Sequence, residues 1–208
     1  MEKPEFETYK RPNGHDEFDE WLQQLPIKDR AKLLQVITDT QDQGLLVAQR
    51  MTWVKKIASA KNLYELRSKV SSNIQRALYF HVKGPKYVIT HGFTKKTQKH
   101  HPLKLNMRLN YELNGRIVKM KINDILTREL KDPKFAEAYH ADKEKSASAL
   151  ALYHTREEVG LTQADLAERA NVPQSTIARI ERGDNVTFDK LAEIAHAMGK
   201  TIKIEFTQ

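Results

Sequence analysis

Cationic and proton-transferring side chains are concentrated between residues 61 and 119. This block holds 13 Lys and Arg residues against Glu65 and Glu112, a net charge of +11, whereas residues 1–60 carry −1 and residues 120–208 carry −2. Guanidinium and ammonium groups bind phosphate oxygens, and His has the side-chain pKa nearest to neutrality. The block is therefore predicted to bind a polyanion.

Strands are expected to position these groups. Three segments rich in Leu, Tyr, Ile and Val predict strands: 63–70, 74–82 and 86–94. Lys83-Gly84-Pro85 predicts a hairpin between the second and the third. A short strand around Phe6 to Lys10 and two helical patterns precede them, the second ending before Gly44. This order predicts a small antiparallel sheet with two helices packed on one face.

Composition limits the classes of site and of cellular location. The chain has no Cys, which removes disulfides, thiolate zinc sites and cysteine nucleophiles. The adjacent His100 and His101 lack carboxylate neighbours and are read as solvated, and Glu65 and Glu112 are the only carboxylates of the basic block. No metal and no cofactor is expected. Apolar runs are too short to span a bilayer, so we expect a cytoplasmic protein with no membrane contact.

The C-terminal part has the signals of a helical bundle. Gly160, Gly183 and Gly199 each follow a periodic run, where a helix would end in a left-handed residue. Thr162 and Asp165 form a capping-box-like start, and Thr187 is a further N-cap candidate. Alternation over residues 201–206 predicts one terminal strand, suited to pairing two copies or to covering a sheet edge of the other domain.

Residues 161–183 carry a two-helix pattern, with Leu166, Ala170, Val172, Ile177 and Ile180 as core and Asn171 at the turn. From about Ala147 to Met198 the chain resembles the lambda-repressor and Cro-like (XRE) helix-turn-helix family. The resemblance implies a recognition helix at 174–182 in the major groove of operator DNA. It assigns DNA binding to Gln163, Gln174, Ser175, Thr176 and Arg179. Pro173 and Asn171 depart from the serine and glycine frequent in that family.

Three motifs in the basic block are Leu63-Tyr-Glu-Leu-Arg67, Arg76-Ala-Leu-Tyr-Phe80 and His91-Gly-Phe-Thr-Lys-Lys-Thr-Gln98. Over residues 5–100 they resemble the HigB branch of the RelE/ParE toxin superfamily, small basic ribonucleases that cleave messenger RNA, usually on the ribosome. The resemblance implies metal-independent attack by the 2′-hydroxyl. It assigns phosphate stabilisation to Arg67 and Arg76, backbone binding or acid catalysis to Lys95 and Lys96, proton transfer to His91 and base stacking to Tyr79. Strand alternation also allows Arg76 to be a snorkelling edge residue and Tyr79 to be a core residue.

Both resemblances in one chain imply a fused toxin–antitoxin pair, with Met120 as the former start of a HigA-like antitoxin. The fold class is then α+β, with a RelE-like domain at 1–119, a helical connection and toxin-contacting segment at 120–148, and a helix-turn-helix domain at 149–208. Phe135 and Tyr139 are predicted to contact the toxin. The expected partners are messenger RNA, the ribosome, operator DNA and the toxin–antitoxin contact itself, within or between chains, with two copies in a homodimer.

Tethering makes neutralisation intramolecular, so the intact chain is expected to bind an operator while residues 1 to about 118 alone arrest growth. The alternative from another class is a transcriptional repressor whose toxin-like domain is catalytically inactive and only binds RNA or a partner.

Overall fold

The computed structural model describes residues 2–11, 13–58, 60–95 and 119–204. The chain divides into two compact units, residues 1–142 and 143–208. The first unit therefore takes in the start of the predicted connection. None of the helices in the described part of the chain is both long and apolar enough to cross a membrane.

The first unit is a six-stranded sheet with helices packed against it, and its last helix continues into the second unit. Its elements in chain order are β1 (Glu5–Tyr9), α1 (Glu17–Gln23), α2 (Ile27–Gln43), α3 (Leu45–Arg50), β2 (Val54–Lys56), β3 (Tyr64–Val70), β4 (Asn73–Lys83), β5 (Lys86–Thr94), β6 (Lys119–Lys121), α4 (Ile122–Glu129) and α5 (Pro133–Glu158).

The sheet confirms the mixed α+β class, with two differences from the expected detail. Its strand order is β2-β3-β4-β5-β1-β6, and β1 runs parallel to β5, so the sheet is mixed and not purely antiparallel. A third helix and the short strand β2 also stand between α2 and β3. Strand pairing over long sequence separation is not encoded in local alternation, which explains why the position of β1 was not predicted.

Helices cover one face of this sheet. Ala31, Leu34 and Ile37 of α2 are fully buried. Gln75 of β4 donates from Nε2 to Oδ1 of the buried Asp29 at 3.0 Å, which ties α2 to the middle of the sheet. On β5, a Cβ added to Gly92 would lie 2.0 Å from the ring of Trp21, so α1 packs directly against the backbone there. Alternation puts Arg67 and Arg76 on the opposite face, together with the buried side chains of Leu78 and Phe80.

The second unit is helical. The C-terminal part of α5 is followed by α6 (Gln163–Arg169), α7 (Gln174–Glu181) and α8 (Phe188–Ala197). Its core is built from apolar side chains at helical spacing: Leu152, Leu161, Leu166, Ala167, Ile177, Ile180, Ile194 and Met198. The predicted terminal strand is wrong for residues 201–204, which form no strand, and the rest of that segment lies outside the described residues.

Candidate nucleic-acid interfaces

Arg67 of β3 and Arg76 of β4 lie directly opposite each other in the antiparallel ladder. Directly opposed residues project from the same face of a sheet, with Cβ atoms about 5 Å apart. The covered face is the one that carries Gln75 and Gly92, so alternation puts both arginines on the face away from the helices. The structure thus brings together the two guanidinium groups that the sequence assigned to one site.

Glu65 lies between these guanidinium groups. Nε of Arg67 donates to Oε1 of Glu65 at 2.7 Å, and Nη2 of Arg67 and Nη1 of Arg76 donate to the same oxygen. The side chains of Glu65 and Arg76 are 3% and 9% exposed, whereas that of Arg67 is 28% exposed. The motif analysis gave Glu65 no role, although its spacing of two residues from Arg67 on a strand puts both on one face.

The carboxyl group of Glu65 is kept ionised by its partners. Burial alone would raise the pKa of Glu65, but hydrogen bonds and charge from Arg67 and Arg76 outweigh burial and hold this pKa below its ordinary value. At neutral pH, Glu65 is therefore a carboxylate that offsets part of the positive charge of the two arginines.

Other cations share this face. His91 lies opposite Leu78, and the amide of Lys95 donates to the carbonyl oxygen of Ile74 at 2.8 Å, which extends the register by one residue. Lys55 pairs with Glu65 and Lys69 pairs with Ile74, so both lysines belong to the same face, and both are exposed. The sequence analysis did not single them out. We call this surface the cationic face; its described members are Lys55, Arg67, Lys69, Arg76, His91 and Lys95. Lys96 lies outside the described residues.

Tyr79 lies on the opposite side of the sheet and is buried, which contradicts its predicted role in base stacking and agrees with the alternative of a core residue. It is 1% exposed, and its ring stacks on that of Tyr64 at a centroid distance of 5.4 Å and meets Phe6 edge-on at 5.1 Å. Burial raises the pKa of its hydroxyl group, which stays protonated at neutral pH. Odd and even residues of a strand face opposite ways, and Tyr79 is separated from Arg76 by three positions.

Residues 119–142 pack against the N-terminal part of the first unit. Strand β6 pairs antiparallel with β1, and Arg128 of α4 donates both terminal nitrogens to the carboxylate of Asp19 on α1, at 2.6 and 2.9 Å. Burial would raise the pKa of Asp19, but the hydrogen bonds and charge of Arg128 lower it. Glu129 accepts from Gln23 at 2.7 Å and forms an ion pair with Arg30 at 3.1 Å.

The two aromatic residues predicted to contact the toxin region lie on the same segment. Phe135 is fully buried, with the guanidinium carbon of Arg30 5.6 Å from its ring centroid. Tyr139 is 6% exposed, and its hydroxyl shares a hydrogen bond with that of Thr38 at 3.0 Å. Both contacts are with α2. Whether they neutralise an activity stays a prediction.

The second unit contains two helices joined by a tight turn. Thr162 and Asp165 form the capping box at the start of α6, and Asn171 has a φ of 49°, the left-handed conformation expected for the turn. Pro173 occupies the N-cap of α7 in an extended conformation and supplies no side-chain hydrogen bond. Ile177 and Ile180 of α7 are buried, which turns the other side of this helix to solvent.

The predicted DNA-binding residues are mostly on that solvent side. Gln174, Ser175 and Arg179 are exposed and Thr176 is partly exposed. Nε of Arg179 forms a surface ion pair with Asp184 at 3.1 Å. Gln163 is half-buried and donates to Oε2 of Glu181 at 2.7 Å, so this contact must rearrange before its side-chain nitrogen can bind a phosphate.

The described residues contain no group of three or more His, Cys, Asp or Glu side chains that could hold a metal ion.

Comparisons with known proteins agree with this division. Residues 20–107 match the family described as "Phage derived protein Gp49-like", and residues 152–204 match the family described as "Helix-turn-helix". No curated protein matches the chain. The N-terminal match lies within the predicted toxin-like region, residues 1–119, and the C-terminal match covers α6 to α8. The chain is thus similar to a Gp49-like toxin domain followed by an XRE-type DNA-binding domain, a fused toxin–antitoxin-like architecture.

Proposed function

We propose that the chain is a toxin–antitoxin module in which the first unit cleaves messenger RNA and the second binds operator DNA and represses transcription. The observation that carries the nuclease half is the pairing of Arg67 and Arg76 across β3 and β4, on a face with further cations. The Gp49-like match over residues 20–107 supports the same reading. The helix-turn-helix match and the exposed side of α7 support the DNA-binding half.

The cleavage needs no metal. The 2′-oxygen of one nucleotide attacks the adjacent phosphorus and loses its proton, while the bond to the 5′-oxygen breaks and that oxygen gains a proton. Arg67 and Arg76 would bind the non-bridging oxygens and offset the negative charge that develops on them. His91 and Lys95, on the same face, are candidates for moving the two protons, and Lys96 is a further candidate from the sequence.

The antitoxin-like part would act through residues 119–142. This segment contacts α1 and α2 through Arg128, Glu129, Phe135 and Tyr139. The covalent connection keeps it at an effective concentration of about 1 mM. These contacts lie on the helical side of the sheet and not on the cationic face, so neutralisation would act through α1 and α2. On this proposal the intact chain has little nuclease activity.

One observation favours a second candidate, a repressor whose first unit binds RNA or a partner without cutting it. Glu65 already occupies hydrogen-bond donors of both arginines. A carboxylate at this point reduces the positive charge available to a transition state.

The test is growth and RNA cleavage by four full-length proteins. The wild-type chain should be tolerated, because its segment 119–142 remains bound. Phe135→Ala with Tyr139→Ala removes two buried aromatic contacts; we call this chain the released variant and expect it to arrest growth. Adding Arg67→Ala and Arg76→Ala to the released variant should restore growth.

The control is Lys134→Ala with His140→Ala, two exposed positions on the same helix, which should leave the chain tolerated. Purified proteins are then incubated with messenger RNA, with and without ribosomes and with a chelator. If the released variant is folded, harmless and inactive in every mixture, the nuclease assignment is wrong and the repressor candidate remains. Cleavage that a chelator abolishes would contradict the metal-independent mechanism.

A further inference from the structure

Two guanidinium groups directly opposite each other in a ladder repel one another, so their closeness needs an explanation. Like charges at directly opposed positions destabilise a pair of strands. Arg76 is also nearly buried, where an uncompensated cation is costly. Glu65 offsets both effects, because its carboxylate lies within hydrogen-bond distance of both side chains.

The hydrogen-bond pattern of Glu65 is unlike that of a simple structural ion pair. Donors from both arginines converge on Oε1, whereas Oε2 is buried and has no hydrogen-bond partner among the described residues. Nε of Arg76 also has none. Buried groups usually satisfy their hydrogen bonds, and the exceptions need a reason. Crowding both guanidinium groups onto one oxygen fixes them next to each other at the cost of the second oxygen.

We infer that Glu65 is a positioning residue that holds Arg67 and Arg76 side by side so that both bind one RNA phosphate. The inference rests on the proposed function, because it presumes RNA as the ligand of the cationic face. Glu65 itself does not touch the RNA. It acts through the two guanidinium groups, whose remaining donors then approach a phosphate together.

The positioning role predicts a change in RNA affinity opposite in sign to the change that net charge alone predicts. Replacing Glu65 by Gln adds one unit of positive charge to the cationic face, which by charge alone should strengthen binding to a polyanion. If Glu65 positions the arginines, the same substitution should weaken binding instead, because one guanidinium group leaves the phosphate.

The measurement is the affinity of full-length protein for a 12-nucleotide 2′-O-methyl RNA, which cannot be cleaved, by fluorescence anisotropy at several salt concentrations. Glu65→Gln should bind about tenfold more weakly, the loss expected for one charge-assisted contact. The slope of log affinity against log salt should fall by about 0.7, the value for one phosphate contact to a single strand. Arg67→Ala with Arg76→Ala defines the background binding of the rest of the chain.

Glu20→Gln is the matched control, since it makes the same charge change at an exposed position of α1. It should bind as wild type or slightly more tightly. Glu65→Asp keeps the charge but shortens the side chain by one methylene, so it covers the case in which Glu65→Gln does not fold; it should bind several-fold more weakly.

Wild-type or tighter binding by a folded Glu65→Gln or Glu65→Asp protein overturns the inference. Weaker binding with no cleavage by the released variant would refute the nuclease but keep the positioning role. A released variant that binds no better than the same variant carrying Arg67→Ala and Arg76→Ala overturns both the positioning role and the proposed nuclease.

Discussion

The two arginines of the cationic face differ in burial, and this difference sets their contribution to stability. The Arg76 side chain is 9% exposed and that of Arg67 is 28% exposed, and both contact the buried Glu65. Replacing either arginine leaves Glu65 paired with the other, so the difference in cost comes from the burial of the side chain removed: about 3 kcal/mol for a nearly buried one and about 1 kcal/mol for a partly exposed one.

We therefore expect Arg76→Ala to lower the free energy of unfolding by about 3 kcal/mol and Arg67→Ala by about 1 kcal/mol. Both Trp residues, Trp21 and Trp53, belong to the first unit, so urea unfolding followed by Trp fluorescence reports on that unit. Arg11→Ala, in a surface pair with Glu17, is the control and should cost little. Equal losses at Arg67 and Arg76 would contradict the burial argument.

Glu65 gives the first unit a pH dependence of known sign. Its pKa is lower in the folded chain than its ordinary value near 4.5, so the ionised form stabilises the fold above that value. This stabilisation is lost as the pH falls through the folded-state pKa. The difference in unfolding free energy between wild type and Glu65→Gln should therefore be largest near neutral pH and shrink below about pH 4.5. A difference that is constant from pH 3 to 7 would refute this assignment.

For individual residues, the sequence predicted which side chains carry charge better than it predicted where those side chains lie. Arg67, Arg76, His91 and Lys95 were assigned to one site by resemblance, and their common face follows from the pairing of β3, β4 and β5, which alternation along a single strand does not give. Tyr79 is a core residue, the alternative that strand alternation allowed beside base stacking, and it packs against Tyr64 and Phe6. The role of Glu65 could not be predicted, since a single carboxylate in a basic block does not reveal which cations surround it.

At the scale of elements, helix α1 packs closely against strand β5 of the sheet. A Cβ at Gly92 would overlap the ring of Trp21, so Gly92→Ala should lower the unfolding free energy by about 1 to 3 kcal/mol. Trp21→Ala is destabilising by itself but removes the overlap. The double variant should be more stable than the sum of the two losses predicts, which a double-mutant cycle in urea measures. Additive losses would mean that the ring moves aside freely.

The elements themselves were predictable where local signals are strong. Lys83-Gly84-Pro85 predicted the hairpin between β4 and β5, and Thr162 with Asp165 predicted the capping box that the structure contains. Strands β2 and β6 have three residues each, too few for a periodic pattern. Only pairing with a longer strand stabilises such segments, and that pairing depends on the folded chain.

For the whole molecule, the two interfaces should be separable by substitution. Gln174→Ala should weaken binding to an operator by about 1 to 3 kcal/mol, the value for one bidentate base contact, and should leave RNA binding unchanged. The operator is first selected from random DNA, and affinity is measured by anisotropy. His196→Ala, exposed at the end of α8, is the control. Equal effects of both variants would show that α7 does not read the bases.

The sequence predicted two parts from a change of net charge, but this change does not coincide with the boundary between the two units. The net charge changes sign between the basic block and residues 120–208, and the two family matches fall on different sides of residue 120. The sequence did not predict that the first unit extends to residue 142. That boundary lies inside the continuous helix α5, where no glycine or proline marks it.

The pairing of β6 with β1 has a consequence for solubility. Without residues 119–121, β1 would present a row of free amide and carbonyl groups along the rim of the sheet. Such a rim recruits strands from neighbouring molecules and leads to aggregation. A polypeptide that stops short of Lys119 is therefore expected to accumulate in inclusion bodies, which replaces the expectation from the sequence that residues 1 to about 118 alone arrest growth. Supplying the missing three-residue strand on a separate peptide should return it to the soluble fraction.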